Sequence, residues 1–240
     1  MKKLITTLTL LLSIGASAQA QFANWGVRLG SGVSYLADEL LTSKPIVAYN
    51  IGAYTNLSIG NNSGLYLQGA FNVSRRGSYF ELELDRMNSF REGKFDLWYA
   101  QIPITLCYEF ELPIQSARHM INVSIGPIAN IGLIGTYKNR QVTLGYSSSD
   151  VNHDSEFTDT KNYRAFRSGN ARMFDIGAQV GIGYRHGNFT LDLIIDHGFV
   201  PIRYEEDLFR LNTSGRKRNA FGGTNQAFVL AVGYQLPIAN

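Results

Sequence analysis

The stretch Phe174-Asp175-Ile176-Gly177-Ala178-Gln179-Val180-Gly181-Ile182-Gly183-Tyr184-Arg185-His186-Gly187-Asn188-Phe189-Thr190-Leu191-Asp192-Leu193-Ile194-Ile195-Asp196-His197-Gly198-Phe199 holds two alternating runs about a Gly-Asn pair. Gly-Asn is a favoured two-residue hairpin loop. Pairing the runs about it sets His186 opposite Phe189, Tyr184 opposite Leu191 and Ile176 opposite Phe199. Side chains alternate between the two faces of a strand, so these residues share one face. Asp175, Gln179, Arg185, Asp192 and Asp196 fall on the other.

The aromatics in this hairpin are ten residues apart: Phe174 and Tyr184 on the first strand, Phe189 and Phe199 on the second. Trp25 and Tyr35, and Trp98 and Tyr108, repeat the spacing. Ten strand residues rise about 33 Å, and a strand tilted by ~40° covers about 25 Å of height. That matches the lipid-facing band of a transmembrane barrel between its two aromatic girdles. Tyr35, Trp98, Phe174 and Phe199 are expected to ring the outer interface, and Trp25, Tyr108, Tyr184 and Phe189 the periplasmic one.

Six further alternating segments occur, near Trp25–Leu36, Val47–Ile59, Leu65–Ser74, Leu97–Phe110, Met120–Ile134 and Gln226–Leu236. With the hairpin's strands at 172–186 and 189–199 they make eight. Strands of ten or more residues exceed the usual length in a soluble β-sandwich. The connections alternate in length. Asn61-Asn62-Ser63 and Gly187-Asn188 are short and Glu111–Arg118 is medium, whereas Ala37–Ile46, Arg75–Asp96, Gly135–Ala171 and Pro201–Thr224 are long. Short turns on one side and long loops on the other predict an all-β, eight-stranded antiparallel up-and-down transmembrane barrel with its N-terminus in the periplasm. Pro103 and Pro127 fall inside strands, where a missing N–H predicts local bulges or bends.

The chain begins Met1-Lys2-Lys3, continues apolar from Leu4 to Ile14 and reaches Ala18-Gln19-Ala20. A basic start, a short apolar run and small residues describe a signal peptide. Residues 1–20 are expected to be cleaved, leaving 21–240 as one barrel domain. Losing Lys2 and Lys3 lowers the formal charge from +3 to +1, which argues against a nucleic-acid partner. Cys107 is the only cysteine, so no intrachain disulfide framework exists.

The sequence resembles the PorT-like outer-membrane β-barrel family of Gram-negative bacteria. The resemblance is carried by Gln68-Gly69-Ala70-Phe71-Asn72-Val73-Ser74-Arg75-Arg76-Gly77, Leu97-Trp98-Tyr99-Ala100-Gln101-Ile102-Pro103-Ile104 and Phe174–Tyr184. It implies an outer-membrane barrel in which Pro103 is a family feature. It also implies a link to protein secretion and surface assembly, the role of the family's best-known member.

On the inward faces, Arg28, Glu109, Asp175, Gln179, Arg185, Asp192 and Asp196 are expected to form a hydrogen-bonded polar network. An eight-stranded barrel is only wide enough for its own side chains to fill it. Cys107 reads as a small buried filler. Arg75, Arg76, Arg203, Arg210, Arg216, Lys217 and Arg218 gather in the long connections, where guanidinium groups suit lipopolysaccharide phosphates. Asp150, His153, Asp154, Glu156 and Asp159 match no ligand spacing and read as solvated loop; His153 with Ser155 is the one pair worth an activity test. No catalytic residue, cofactor or metal site is expected.

These readings converge on an integral outer-membrane protein that is not an enzyme and acts through its extracellular loops. Its expected partners are outer-membrane lipid and lipopolysaccharide, the barrel-assembly machinery during insertion, and a protein at the loops or periplasmic turns. The rival readings are a narrow porin-like channel for small solutes, a loop-borne hydrolase and a component of a secretion or surface-assembly system.

Overall fold

The computed structural model describes residues 22–37, 42–59, 64–84, 89–113, 119–145, 155–169, 171–202 and 223–237; the expected signal peptide lies outside them. Nine strands occur among these residues: β1 (Phe22–Ala37), β2 (Thr42–Ser58), β3 (Leu65–Leu84), β4 (Ser89–Leu112), β5 (His119–Gly145), β6 (Ser155–Arg164), β7 (Phe174–His186), β8 (Phe189–Gly198) and β9 (Thr224–Pro237). All but β6 form a closed antiparallel ring, with β9 returning to β1 from Asn24↔Pro237 to Ala37↔Thr224. Closure pairs every strand on both sides and leaves no sheet edge in the wall, the condition for a sheet to cross lipid.

The β7–β8 hairpin has the register expected from its turn: His186↔Phe189 and Tyr184↔Leu191 are ladder partners. The Phe199 N–H donates to the Ile176 carbonyl at 2.8 Å. Gly187 closes the turn at φ +57°, a conformation that only a residue without a Cβ adopts freely. The start of β1 and the end of β9 lie at one end of the barrel with the facing ends of β2 and β3, β4 and β5, and β7 and β8; the last residues of β1, β3, β5 and β8 lie at the other.

Around the wall the outward residues are apolar and exposed, including Leu29, Ile51, Phe71, Ile125, Ile176 and Leu230, while their strand neighbours Arg28, Asn50, Asn72, Asp175 and Ala231 are buried inside. This inverts the pattern of a water-soluble protein. The hydrophobic effect gives no reason to expose such a belt to water, but a hydrocarbon solvent accepts it.

Three expectations change. First, Arg75–Asp96 and Gly135–Ala171 are not simply loops. β3 and β4 stay paired to Leu84↔Ser89, β4 and β5 to Ser89↔Thr143, and β6 adds to the upper part of β5 from Thr136↔Arg164 to Gly145↔Ser155. With β2 reaching Thr42, a five-stranded sheet rises from one side of the barrel.

Second, the bulges are not at the prolines. Register is the same on both sides of Pro103 and Pro127. Instead the ladder omits two rungs, Ala70 and Phe71 on the β3 side of Pro103 and Ile104 and Thr105 on the β4 side of Pro127. Each missing N–H thus costs local pairing without shifting the strand.

Third, true register shifts occur elsewhere: one at the start of β1, where Ala23 is an extra residue between Phe22↔Leu57 and Asn24↔Asn56, and two higher up. Of the higher two, one leaves Leu133 as an extra residue between Trp98↔Ile134 and Tyr99↔Gly132. The other lies between Pro45↔Ser78 and Tyr49↔Arg75, where β2 has one residue more than β3. Each bulge exchanges the inward and outward faces above it. Leu133 and Ile134 both point outward, and Tyr137 then turns inward and is buried. Lys44 is likewise swung outside to meet Glu81 at 2.6 Å.

Candidate functional site

The middle of the barrel interior holds a polar network around one carboxylate. Arg76 on β3 donates from Nη2 to Asp196 Oδ2 on β8, across the lumen. Gln101 Nε2 donates to the same oxygen at 3.1 Å, and Gln179 Nε2 donates to Oδ1 at 2.7 Å. Gln101 Oε1 in turn accepts from Asn50 Nδ2 at 3.1 Å and Asn72 Nδ2 at 3.3 Å. Asn72 Oδ1 accepts from Arg28 Nε at 3.3 Å, and the Arg28 guanidinium stands 5.8 Å over the Tyr54 ring. A buried charge costs several kcal/mol unless paired and hydrogen-bonded. Here residues from six strands gather around one ion pair, with Arg76 Nη1 and Arg28 Nη2 buried without a hydrogen-bond partner.

Two further polar clusters flank it. Arg185 bridges Glu109 (Nη2 to Oε2, 2.7 Å) and Gln235 (Nη1 to Oε1, 2.8 Å) toward the short-turn end. Asp175 accepts from Asn130 Nδ2 at 3.3 Å and from the Val200 N–H at 3.2 Å toward the other end. Asp192 lines a small cavity with Arg28, Gln68 and Cys107; at about 20 Å³ it has room for a single water-sized occupant. Cys107 is buried, with its sulfur 3.5 Å from Thr105 Oγ1.

Above the ion pair the lumen becomes apolar. Leu36, Phe80, Phe95, Leu97, Tyr99, Tyr137, Ala165, Ala171 and Ile202 form one buried cluster. Ring centroids are 5.5 Å apart for Phe80–Phe95, 4.7 Å for Phe95–Tyr137 and 6.1 Å for Phe80–Tyr137. Phe166 meets Tyr99 edge-on at 5.5 Å, and Asn225 Nδ2 donates to the Tyr99 hydroxyl at 3.4 Å. This aromatic plug caps the lumen at the base of the raised sheet.

All seven residues expected in the lumen, Arg28, Glu109, Asp175, Gln179, Arg185, Asp192 and Asp196, face inward. The structure adds Arg76, Asn50, Asn72 and Gln101. Arg76 was expected at the surface as a lipopolysaccharide contact; it is fully buried and bound to Asp196 instead. The signal was present, since Arg76 continues the even-numbered inward series Gln68, Asn72, Ser74.

The eight girdle aromatics, Trp25, Tyr35, Trp98, Tyr108, Phe174, Tyr184, Phe189 and Phe199, stand on the outer face of their strands. Arg75 is also outside, 5.7 Å from the Tyr49 ring. Its guanidinium is already held in a two-bond fork by Asp96, Nε to Oδ1 at 2.8 Å and Nη2 to Oδ2 at 2.6 Å, so a phosphate must compete with that carboxylate. Those bonds hold the Asp96 carboxyl below the usual carboxylate range, against the opposing effect of its partial burial, and Lys94 at 3.3 Å adds to them. Arg203, Arg210, Arg216, Lys217, Arg218, Asp150, His153 and Asp154 lie outside the described residues. Ser155, Glu156 and Asp159 lie on the backbone of β6. Among the described residues no group of three or more His, Cys, Asp or Glu side chains is placed to hold a metal ion.

A family model for the outer membrane protein beta-barrel domain matches residues 17–203. No curated protein matches the chain. Among solved structures, the chain is similar to Ail, the attachment invasion locus protein of Yersinia pestis, at 13% identity over 90% of this chain and 100% of that one, with a TM-score of 0.40. It is also similar to Neisserial surface protein A, at 13% identity over 89% and 97% of the two chains with a TM-score of 0.36. The outer membrane enzyme PagL is similar at 13% identity over 89% and 99%, with a TM-score of 0.36.

Proposed function

The chain belongs to the outer membrane protein beta-barrel domain family, and on that premise we propose that it is a non-enzymatic interaction protein whose sealed barrel carries a raised, extracellular recognition sheet. The observation that carries this reading is the aromatic plug of Phe80, Phe95 and Tyr137 above the Arg76–Asp196 ion pair. Side chains occupy the interior, and the strands that build the plug continue outward as paired β-structure. The elaborated part of the molecule is therefore the sheet of β2–β6 and not the lumen. In this reading the short turns and both termini face the periplasm, and the residues from Gly77 to Asp96 stand outside the cell.

Replacing residues 79–94 by a two-residue turn tests the proposal. The expected result is a barrel that still reaches the outer membrane and runs as a folded species on unheated gels, in a strain that behaves like the full deletion. A strain that behaves like wild type overturns the reading. Biotinylation of Lys94 in intact cells, and not only in lysed ones, tests the orientation. The channel reading predicts persistent single-channel steps from the purified protein in planar bilayers, and the sealed lumen predicts none. The PorT-like resemblance raises a role in protein secretion or surface assembly; a deletion strain that secretes normally removes it.

A further inference from the structure

We propose that His119 and His186 form a two-histidine site for a borderline divalent transition-metal ion, Zn²⁺, Ni²⁺ or Cu²⁺, on the outer face of the barrel at its short-turn end. The two residues are direct ladder partners at the end of the β5–β7 pair. Directly opposed residues on antiparallel strands place their Cβ atoms about 4.5–5.5 Å apart. The two rings are correspondingly close, 4.7 Å between centroids and 28° from parallel. Two of the chain's four histidines thus meet on one face.

The surroundings favour a metal ligand pair over an incidental stack. The His119 Nδ1 lies 2.5 Å from the Tyr184 hydroxyl. A metal-bound histidine almost always uses one ring nitrogen for the ion and donates the other N–H to an oxygen, which fixes tautomer and ring orientation. In the tautomer in which Nδ1–H donates to that hydroxyl, His119 presents an unprotonated Nε2 to the ion. His186 is exposed and is the last residue of β7, so its ring can turn about χ1 and χ2 until both nitrogens approach one ion at about 2.0–2.1 Å. Next to His186, the Arg185 guanidinium is turned away into the lumen, where Glu109 binds it. Two imidazole nitrogens as the protein ligands select against Mg²⁺ and Ca²⁺ and for the ions named. Water completes the coordination sphere.

The test uses the mature barrel, folded in detergent and carrying no affinity tag, with Cu²⁺ as spectroscopic probe and Zn²⁺ by calorimetry. One ion per chain is expected, with two nitrogen ligands in the Cu²⁺ electron paramagnetic resonance spectrum. His119→Ala and His186→Ala should each weaken Zn²⁺ binding at least tenfold, and Tyr184→Phe by roughly tenfold through the lost orienting bond. His197→Ala and His153→Ala should leave it unchanged. A wild-type spectrum with one nitrogen or none overturns the proposal without reference to any variant. So does Zn²⁺ binding that survives the double His119→Ala/His186→Ala change or is lost on replacing His153 or His197.

Discussion

Arg76 and Asp196 lie 120 positions apart in the sequence and meet across the lumen as a fully buried ion pair. Neither charge has a water-facing alternative: Asp196 is held by Arg76, Gln101 and Gln179, and Arg76 by Asp196 and the Ser74 hydroxyl, to which its Nε donates at 3.2 Å. Asp196→Ala leaves the Arg76 guanidinium uncompensated and is expected to cost about 3–5 kcal/mol. Removing both charges together, as Arg76→Met with Asp196→Leu, should be much less harmful, because paired burial of ions gains little over well-packed apolar groups. Urea midpoints of the folded species, read by heat-modifiable gel mobility, check both. A double variant as unstable as Asp196→Ala would mean that the pair is not the source of the cost.

The plug is expected to yield independently of the barrel. Phe95 is fully buried and touches both Phe80 and Tyr137. Phe95→Ala removes the middle ring of the cluster, at a cost of about 3–5 kcal/mol typical of a buried aromatic. Its loss should appear as faster amide hydrogen exchange in β3 beyond Gly77 and β4 before Leu97, with exchange in the lower halves of β8 and β9 unchanged. Uniform loss of protection around the ring would show that the plug and wall open as one unit.

The same cluster explains where sequence reading stops. Within the apolar belt, parity alone places Trp98, Ile102, Ile104, Leu106 and Tyr108 outside and Gln101, Thr105 and Cys107 inside, as found. At Leu97 and Trp98 two apolar residues stand side by side. Below them the apolar set is even-numbered and faces lipid; above them it is odd-numbered, Phe95 and Leu97, and faces inward. The strand keeps its phase while the solvent outside it changes from lipid to water. A period-two pattern reads that exchange as the end of a strand, so β3, β4 and β5 look shorter in sequence than they are. Tyr137 is hidden for a second reason, because its inward position depends on the bulge at Leu133, and no single residue type marks a bulge. Arg76 was legible by parity, but a charge beside Arg75 in a long polar connection reads first as surface.

Asp96 stands above the belt and couples the raised sheet to pH. Its carboxyl titrates below its ordinary range because Arg75 hydrogen-bonds the charged form. A depressed folded-state value stabilises the fold at pH above the ordinary carboxylate range, and that contribution is lost as pH falls through the lower, folded value. The β3–β4 hairpin should therefore loosen in acid and not in mild base. A carboxyl-carbon NMR titration of Asp96 should give a midpoint below that of an exposed aspartate. Asp96→Asn should make the hairpin's protease susceptibility at neutral pH resemble that of the wild type in acid. A midpoint at or above the ordinary value would show that Arg75 does not hold Asp96 in solution.

The depth of the belt sets the last expectation. Leu230 lies outward on β9 midway between Gln226 and Tyr234, beside Ser31 and Leu193 on its neighbours, and is exposed. Ile59 is also exposed and apolar, but it sits past the end of β2 at the short-turn end. In water both positions tolerate arginine equally. In a bilayer, arginine costs about 2–4 kcal/mol at mid-depth and about 0–1 kcal/mol near the interface. Leu230→Arg should therefore lower folding stability in phospholipid vesicles by that larger amount, and Ile59→Arg should change it little. In detergent micelles, which deform around a charge, the difference between the two should shrink. Equal costs in vesicles would place the centre of the lipid band elsewhere on the wall than at Leu230.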